Sequence, residues 1–578
     1  MKNSSSTETR YIQMGPPYAV INISKIGLRY FRLFIKATLS SKNKLIQNFL
    51  GHPNIGWIFS GKGWFNIAIG IWASDNDEIN DISASIRNLL SSKDKVVYQS
   101  ELTALYGFST FRPITQKGVA MRIIDAEIKS TELDRMSLDY LKIITIDSSL
   151  SKKDYANILG TTVGKINKLN KKLISSGIIV GHQERVQYFD KYYKVFIDSA
   201  NRNPSVNIDD FIKQLWEDSS CIYFEKANGK YDIEFEVILK NKSILMEKYL
   251  KNFYDYKIAE LKHLYTNLYP LNKVANLKEI KDAILSQTGN VIDLRNSKLW
   301  YLNYKGVEAY LDIFKNKEYM ELMEKSELGL LNKVASFINN KNKGCSYHII
   351  DLGSGNGLKG KIFIEKIGDT KVKAYYPVDM QPIELSYVLI IHRKSSYATH
   401  PILLNFENLG SRFPLEILPK EKQVYAFQGG TYGNFPSHEI NSYLKTVYND
   451  NSAILVISMP LRVSKEKMLK SYATNNYEDV AFGPLQHVGF KKNDFVANKD
   501  YPKLIVQLNM EGDHLVSSFV LKNTVILLGR KFETGTVFKM VTSWKPTLEE
   551  FKAALKRDFK IKKIFSNKKF AIVICHKS

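Results

Sequence analysis

The chain has 578 residues, 44% of them hydrophobic and 12% aromatic, with 82 Lys and Arg against 58 Asp and Glu, so 82 − 58 leaves +24. That apolar content excludes a globally disordered chain, and at roughly 100–200 residues per domain it predicts three or four domains. Three widely spaced cysteines (Cys221, Cys345, Cys575) exclude a disulfide framework or a cysteine metal cluster, fit a reducing cytoplasmic setting, and leave metal chemistry unexpected. No run of about 18 uncharged apolar residues predicts a membrane span, and MKNSSSTETRY lacks a signal-peptide core. The positive charge by itself points to an anionic partner such as nucleic acid.

Residues 1–16 are expected to form a disordered tail. Beyond them the chain repeats itself. RYFRLFIK from Arg29 returns as KYYKVFID from Lys191, Gly63-Trp64-Phe65-Asn66 as Gly229-Lys230-Tyr231-Asp232, and ELTALYGF from Glu101 as ELKHLYTNLY from Glu260, at offsets of 162, 166 and 159. Within each copy, alternating runs (RYFRLFIKA, IGWIFSG, GWFNIAIGIWA) and amphipathic ones (KNKLIQNFLGH, DEINDISASIRNLLS) give the order strand, helix, strand, strand, helix, strand. That βαββαβ order predicts two ferredoxin-like modules, over 17–130 (with a linker) and 189–271.

Between them, 131–188 reads differently. MSLDYLKIITI, SKKDYANILG (N-cap Ser151, stop Gly160) and TTVGKINKLNKKLISSG are three short helices, and IIVGH with VQYFD suggests a wing. This predicts a winged helix-turn-helix whose third helix offers Thr161, Thr162, Lys165, Lys168, Lys171 and Lys172 to double-stranded DNA. From Lys152 to Lys172 there are six lysines and one acid, Asp154, and lysine without arginine favours phosphate contact over base reading.

Residues 272–345 read as a helical lid, and 346–578 alternate apolar strands (HIIDLG, AYYPVDM, PILLNF, QVYAFQGG, AILVISM) with helices, the pattern of a doubly wound α/β sheet. Asp351-Leu-Gly353-Ser354-Gly355-Asn-Gly357 follows the strand YHII and precedes a helix. Its glycines allow a tight turn and a close backbone approach to a ligand at a helix N-terminus. Nicotinamide-binding folds use a related loop. The spacing D-x-G-x-G-x-G resembles the first motif of class I methyltransferases that use S-adenosylmethionine (SAM), with Asp379 about 20 residues on as the ribose-binding acid. Gln428-Gly-Gly-Thr431-Tyr-Gly433-Asn434-Phe435 follows the strand VYAF and precedes the helix SHEINSYLKTVY.

Together DLGSGNGLK, YYPVD, GGTYGNF and the upstream YLNYKGVEAYLDIFKNKEYMELMEKSE resemble the histidine-specific, ergothioneine-type SAM-dependent methyltransferases. The resemblance implies a Rossmann-like core with a helical lid. It implies SAM binding by Asp351, Gly353, Ser354, Gly355, Gly357, Asp379, Asn405 and Phe406. It implies an amino-acid or related amine acceptor held by Asn434, Tyr304 and Tyr319. The chain departs from that family in two places: Ile457-Ser-Met459-Pro460 replaces an acidic dipeptide, and Met540 aligns with a glutamate that grips imidazole and amine. Gly15-Pro16-Pro17-Tyr18, which resembles the Asn-Pro-Pro-Tyr loop of other methyltransferases, lies before the SAM loop and reads as a turn before a strand. The front half resembles the leucine-responsive/asparagine regulator family, which joins a helix-turn-helix to a ferredoxin-like sensing module and implies ligand sensing, DNA binding and homo-oligomers through those modules.

The fold class is thus multidomain α/β and α+β: two ferredoxin-like modules flanking a winged helix-turn-helix, then a Rossmann-like methyltransferase domain. The functional expectation is a SAM-dependent methyltransferase fused to a regulator-like front; the alternatives are a transcription regulator whose methyltransferase-like half senses SAM or an amino acid without turnover, and an assembly protein. By region the charge is 16 − 9 = +7 over 1–130, 9 − 7 = +2 over 131–190, 12 − 12 = 0 over 191–271 and 45 − 30 = +15 over 272–578. The DNA expectation therefore rests on the helix pattern and its lysine stripe, not on the global charge.

Overall fold

In the computed structural model, the structure describes residues 11–13, 15–49, 52, 54–108, 120–128, 131–188, 190–218, 220–266, 272–296, 298–301, 307, 309–310, 325–409, 421–447 and 453–577. Contacts group the chain into two units, 1–149 with 167–271, and 150–166 with 272–578.

The first unit is built on a nine-stranded sheet, in which Ala120–Ile124 pairs with the end of Lys95–Phe108 and eight strands form the main body: β1 (Arg29–Lys36), β2 (Ile55–Gly63), β3 (Ile67–Ala73), β4 (Lys95–Phe108), β5 (Lys191–Ile197), β6 (Cys221–Asn228), β7 (Ile233–Leu239) and β8 (Tyr256–Thr266). They pair in the order β6-β7-β5-β8-β2-β3-β1-β4, and β4 also pairs with β6, so the strands close into a ring. Each copy of the repeat supplies four consecutive strands of that ring. The copies join where β8 meets β2 and β4 meets β6. Alternation along β1 sorts the side chains. Leu33 and Ile35 join a core with residues of the helices Leu39–Phe49 and Asn76–Asn88, and the second copy has its own such core around Val195 and Phe235. Phe34 belongs to a third cluster, with Phe65, Phe196 and Tyr231 drawn from both copies. Phe34 and Phe196, equivalent by the repeat, meet edge to face at 4.9 Å.

Beside that aromatic cluster lie five buried charges. Arg32 Nη2 meets Glu234 Oε1 at 2.6 Å and Arg32 Nη1 meets Glu225 Oε2 at 2.5 Å. Lys194, the counterpart of Arg32 one repeat on, pairs with Glu225 and stands 3.2 Å from both Glu234 and Glu236. Burial raises the carboxyls of Glu234 and Glu236, while Glu225 is held down, against its burial, by Lys194 and Arg32.

Three expectations are corrected here. Tyr11–Gln13, within the expected disordered tail, is a strand paired with Val186–Tyr188, because partner strands lend it backbone hydrogen bonds that its sequence alone does not reveal. The expected wing strands, Ile179–Gln183 and Val186–Tyr188, pair with Tyr18–Ile21 and Tyr11–Gln13 rather than with each other. In the expected helical lid, Val291–Asp293 is a strand parallel to Val537–Trp544 in a four-stranded sheet. Tyr304 and Tyr319 lie outside the described residues.

In the segment 131–188, Arg135–Ile144, Lys152–Ile158 and Val163–Ser175 are helical. Ser151 and Asp154 cap the second reciprocally: Asp154 N donates to Ser151 Oγ at 3.1 Å, and Ser151 N donates to Asp154 Oδ2 at 3.0 Å. The lysines at 165, 168, 171 and 172 are exposed, whereas Thr161 is half-buried.

The second unit centres on a mixed sheet. Strands β9 (Ser346–Leu352), β10 (Val372–Asp379), β11 (Glu421–Phe427), β12 (Ile454–Pro460), β13 (Phe559–Ser566) and β14 (Phe570–Lys577) run in the order β10-β9-β11-β12-β14-β13, with the short strands Ala398–Thr399 and Ile402–Leu403 beyond β10. The pairs from β10 to β12 are parallel and β14 is antiparallel to β12. Apolar stretches such as Ile349–Ile350 and Val424–Phe427 suit strands buried on both faces. The order reverses at β9, where crossovers to either side leave a crevice at the strands' carboxyl ends. No helix among the described residues is long and apolar enough to cross a membrane, and none of them form a metal-binding cluster.

Removing one partner from the buried ionic cluster leaves an uncompensated charge. Arg32→Met should lower stability by about 3–5 kcal/mol, read from the urea midpoint. Adding Glu234→Gln to that variant should recover part of the loss, whereas two independent losses would mean that the pair is not coupled.

Candidate active site

The loop after β9 is tied to the end of β10. Gly353 N and Ser354 N donate to Val378 O at 2.9 and 3.2 Å, and Gly355 N donates to Asp379 Oδ2 at 2.9 Å. Gln381 N donates to Asp379 Oδ1 at 3.0 Å. The loop turns through left-handed conformations at Gly353 (φ 69°), Gly355 (φ 54°) and Gly357 (φ 77°), where a side chain is strained. At Gly357 a Cβ would also stand 2.8 Å from Val388 Cγ2.

These elements frame a cavity of about 620 Å³, its mouth included. Gly353, Gly355, Asp379 and Met380 line it from β9 and β10, and Glu384 from the next helix. Asn405, Phe406 and Glu407 follow, then Thr431, Asn434 and Phe435 beyond β11, with Lys298, Tyr301 and Tyr310 from the preceding segment. The structure therefore gathers Gly353, Gly355, Asp379, Asn405, Phe406 and Asn434 around one space. Asp351, Ser354 and Gly357 do not line it. Asp351 is buried behind the loop, where it accepts a hydrogen bond from Tyr375 Oη at 2.7 Å, and burial pushes its carboxyl up to about 7. Gly357 begins the helix Leu358–Ile367.

A second buried acid ties neighbouring elements together. Glu327 accepts from Gly429 N at 3.0 Å and from Ser458 Oγ through Oε1, while its Oε2 lies 2.9 Å from Lys359 Nζ. The loop after β11, the strand β12 and the helix that follows the glycine loop are thus anchored on one carboxylate. Ser458 belongs to the tetrapeptide that replaces the family's acidic dipeptide.

Asn434 is fixed from behind. Ser543 Oγ donates to its Oδ1 at 3.0 Å, and Lys545 Nζ donates to Ser543 Oγ at 3.1 Å and to Tyr472 Oη at 3.1 Å. With Oδ1 engaged, the Nδ2 of Asn434 remains as a donor. Lys545 is buried, and desolvation brings its amine down to about 7. Met540 is fully buried, its carbonyl accepts from Trp300 Nε1 at 2.8 Å, and its side chain does not line the cavity.

Sequence reasoning missed Lys298, Tyr301, Tyr310, Glu384, Glu407, Thr431 and Lys545. Thr431 stood inside the quoted GGTYGNF, and Tyr301 and Tyr310 inside YLNYKGVEAY, so the motifs held the signal without ranking their members. Glu384 and Lys545 carried no motif.

The glycine loop, the buried carboxylates and the flanking aromatic Phe406 fit a nucleoside-bearing cofactor. The model of the histidine-specific, SAM-dependent methyltransferase family matches residues 284–577. No curated protein matches the chain. Among solved structures it is similar to a SAM-dependent methyltransferase from Clostridium acetobutylicum (13% identity, TM-score 0.27, covering 47% of this chain and 98% of that one). It is also similar to magnesium protoporphyrin IX methyltransferase from Synechocystis with bound SAM (9% identity, TM-score 0.27, 48% and 94%). A third is the siroheme decarboxylase NirDL (11% identity, TM-score 0.30, 42% and 74%).

Lys545 makes stability depend on pH. Its amine titrates at 10.5 when exposed and about 7 when folded. As pH falls across that window the unfolded chain takes up a proton that the folded one refuses, so stability declines by about 1.4 kcal/mol per unit of separation and levels off below the folded value. Lys545→Met should remove that alkaline advantage, seen as a flatter plot of urea midpoint against pH than wild type gives.

Proposed function

Because the family match spans just over half of its length, the chain belongs to the histidine-specific, SAM-dependent methyltransferases, and from this premise we propose that it methylates a nitrogen of an amino acid or a related amine. SAM supplies the transferable methyl group on a sulfonium. Gly353, Gly355 and Asp379 would hold its nucleoside side, with Asn405 and Phe406 alongside. The observation that carries the acceptor reading is the Asn434 amide, which lines the cavity and whose oxygen is engaged by Ser543, leaving N–H for an acceptor atom such as a carboxylate. Transfer to an amine asks for positioning in line with the sulfonium and for a site dry enough to favour the uncharged nucleophile. Tyr301, half-buried and lining the same cavity, helps exclude water.

Met540 supports leaving the acceptor wider than histidine. A buried thioether where the family carries a glutamate offers no carboxylate to an imidazole. The same residue supports a second reading, a regulator whose methyltransferase half senses SAM or an amino acid without turnover.

For the front half we propose ligand sensing on two ferredoxin-like modules of the leucine-responsive/asparagine type and DNA contact through the helix Val163–Ser175. The strand order of each copy in the ring and the exposed Lys165, Lys168, Lys171 and Lys172 support this. Thr161 and Thr162 would lie at the start of that surface.

Incubation with SAM and a panel of amino acids and small amines, read by mass spectrometry, should yield a product heavier by one methyl group. SAM binding without any product favours the regulator. Separately, duplex DNA binding should weaken steeply as salt rises and be lost in Lys165→Glu/Lys168→Glu. Binding that ignores both salt and the substitution would remove DNA from the account.

A further inference from the structure

Glu384 sits in the first turn of the helix Pro382–His392, only 3% exposed, and lines the cavity next to Asp379. The two acids line the same cavity wall, and their carboxyls act on each other. Two buried carboxylates that act on each other cannot both be charged at modest cost, so the pair holds a proton. Asp379 already accepts from two backbone N–H groups, which favour its charged form. The proton therefore resides on Glu384, whose carboxyl is pushed well above the usual range by burial and then by Asp379. One oxygen of Glu384, Oε1, is buried with no hydrogen-bond partner, and it lies 3.7 Å from where a Cβ on Gly355 would stand. A buried acceptor left unmatched beside a glycine of the cofactor loop is costly unless something fills the cavity and donates to it.

We propose that Glu384 is a second acid of the cofactor site: its Oε1 accepts a hydrogen bond from an O–H or N–H of the SAM nucleoside while its carboxyl stays coupled to Asp379. The pair then presents two acceptors to the nucleoside at the cost of a single negative charge. The other titratable groups facing it are Tyr301, which feels both carboxyls, Lys298 and Glu407 on the cavity wall, and Asp351 behind the loop, which interacts with Asp379. This inference rests on SAM as the cofactor and not on the identity of the acceptor.

Calorimetric titration of the full-length protein with S-adenosylhomocysteine tests it without turnover. Glu384→Gln keeps a donor for Asp379 and a carbonyl acceptor for the ligand, so it should bind within about twofold of wild type. Glu384→Leu should bind roughly tenfold more weakly, the worth of one buried hydrogen bond. In alkaline buffer, where the shared proton leaves, wild type should weaken and Glu384→Gln should not. Wild-type affinity in Glu384→Leu, or a loss in Glu384→Gln as large as in Glu384→Leu, would overturn the proposal. Should Glu384→Leu fail to fold by its thermal midpoint, the alkaline behaviour of Glu384→Gln decides alone. Failure of wild type itself to bind would instead refute the cofactor site, a distinct result.

Discussion

The methyltransferase half depends on one buried carboxylate at the end of a strand. Asp379 accepts from Gly355 N and Gln381 N, and so ties the loop after β9 to the turn after β10. The crevice at the carboxyl ends of these strands is a consequence of strand order; the shape of its lip is a consequence of that carboxylate. Glu327 repeats the device on the other side, where it gathers Gly429, Ser458 and Lys359. A charge buried at a loop junction is costly unless backbone N–H groups or a cation surround it, so each acid enforces the loop geometry that satisfies it. Asp379 itself lines the cavity, so at that junction the wall is less free to drift than the loop sequence alone would allow.

The front half solves a different problem, the edges of a duplicated sheet. An open four-stranded sheet leaves edges ready to pair with another chain. Here β2 and β4 of the first copy take β8 and β6 of the second, and the ring closes within one chain. The buried charges make that pairing directional. Arg32 comes from the first copy, whereas Lys194, Glu225, Glu234 and Glu236 come from the second. At the first copy's matching positions stand Phe59, Ala68 and Gly70, by the repeat offset of 166. Two first copies facing each other would confront two arginines with no acid, and two second copies would confront six glutamates with two lysines. The arrangement of one with the other is the one that keeps charge near balance.

Much of this was legible from residue pattern, and the illegible parts share a cause. The switch from alternating to helical period around DLGSGNGLK located a strand, a turn and a helix, and the acid closing YYPVD fell at the cavity because strand ends converge there. RYFRLFIK and KYYKVFID located strands by alternation. Ring closure did not follow, because β4 and β6 are joined by contacts more than a hundred residues apart that no local period encodes. Val291–Asp293 is too short to show a period, and Tyr11–Gln13 takes its order from a partner strand. Glu384 looked like any acid in a helix's first turn, where the macrodipole favours one. Lys545 looked like one more solvated lysine in a Lys-rich half. Both acquire their chemistry from burial, which is a property of the fold.

Burial also reverses the meaning of the charge. The half that carries 45 − 30 = +15 places Asp379, Glu384 and Glu407 around its cavity, with Lys298 as the cation among the lining residues. The nearest buried amine behind Asn434, Lys545, is brought down to about 7, so close to neutrality it loses much of its charge. A cationic sulfonium placed there would meet acids in front and a weakened cation behind, whereas the surplus lysines, strung along segments such as Lys552–Lys569, bear on long-range attraction and solubility. Net charge and site charge therefore have opposite signs in this protein. The surface is positive towards anions at a distance, and the cavity is negative towards the cation it must hold at contact.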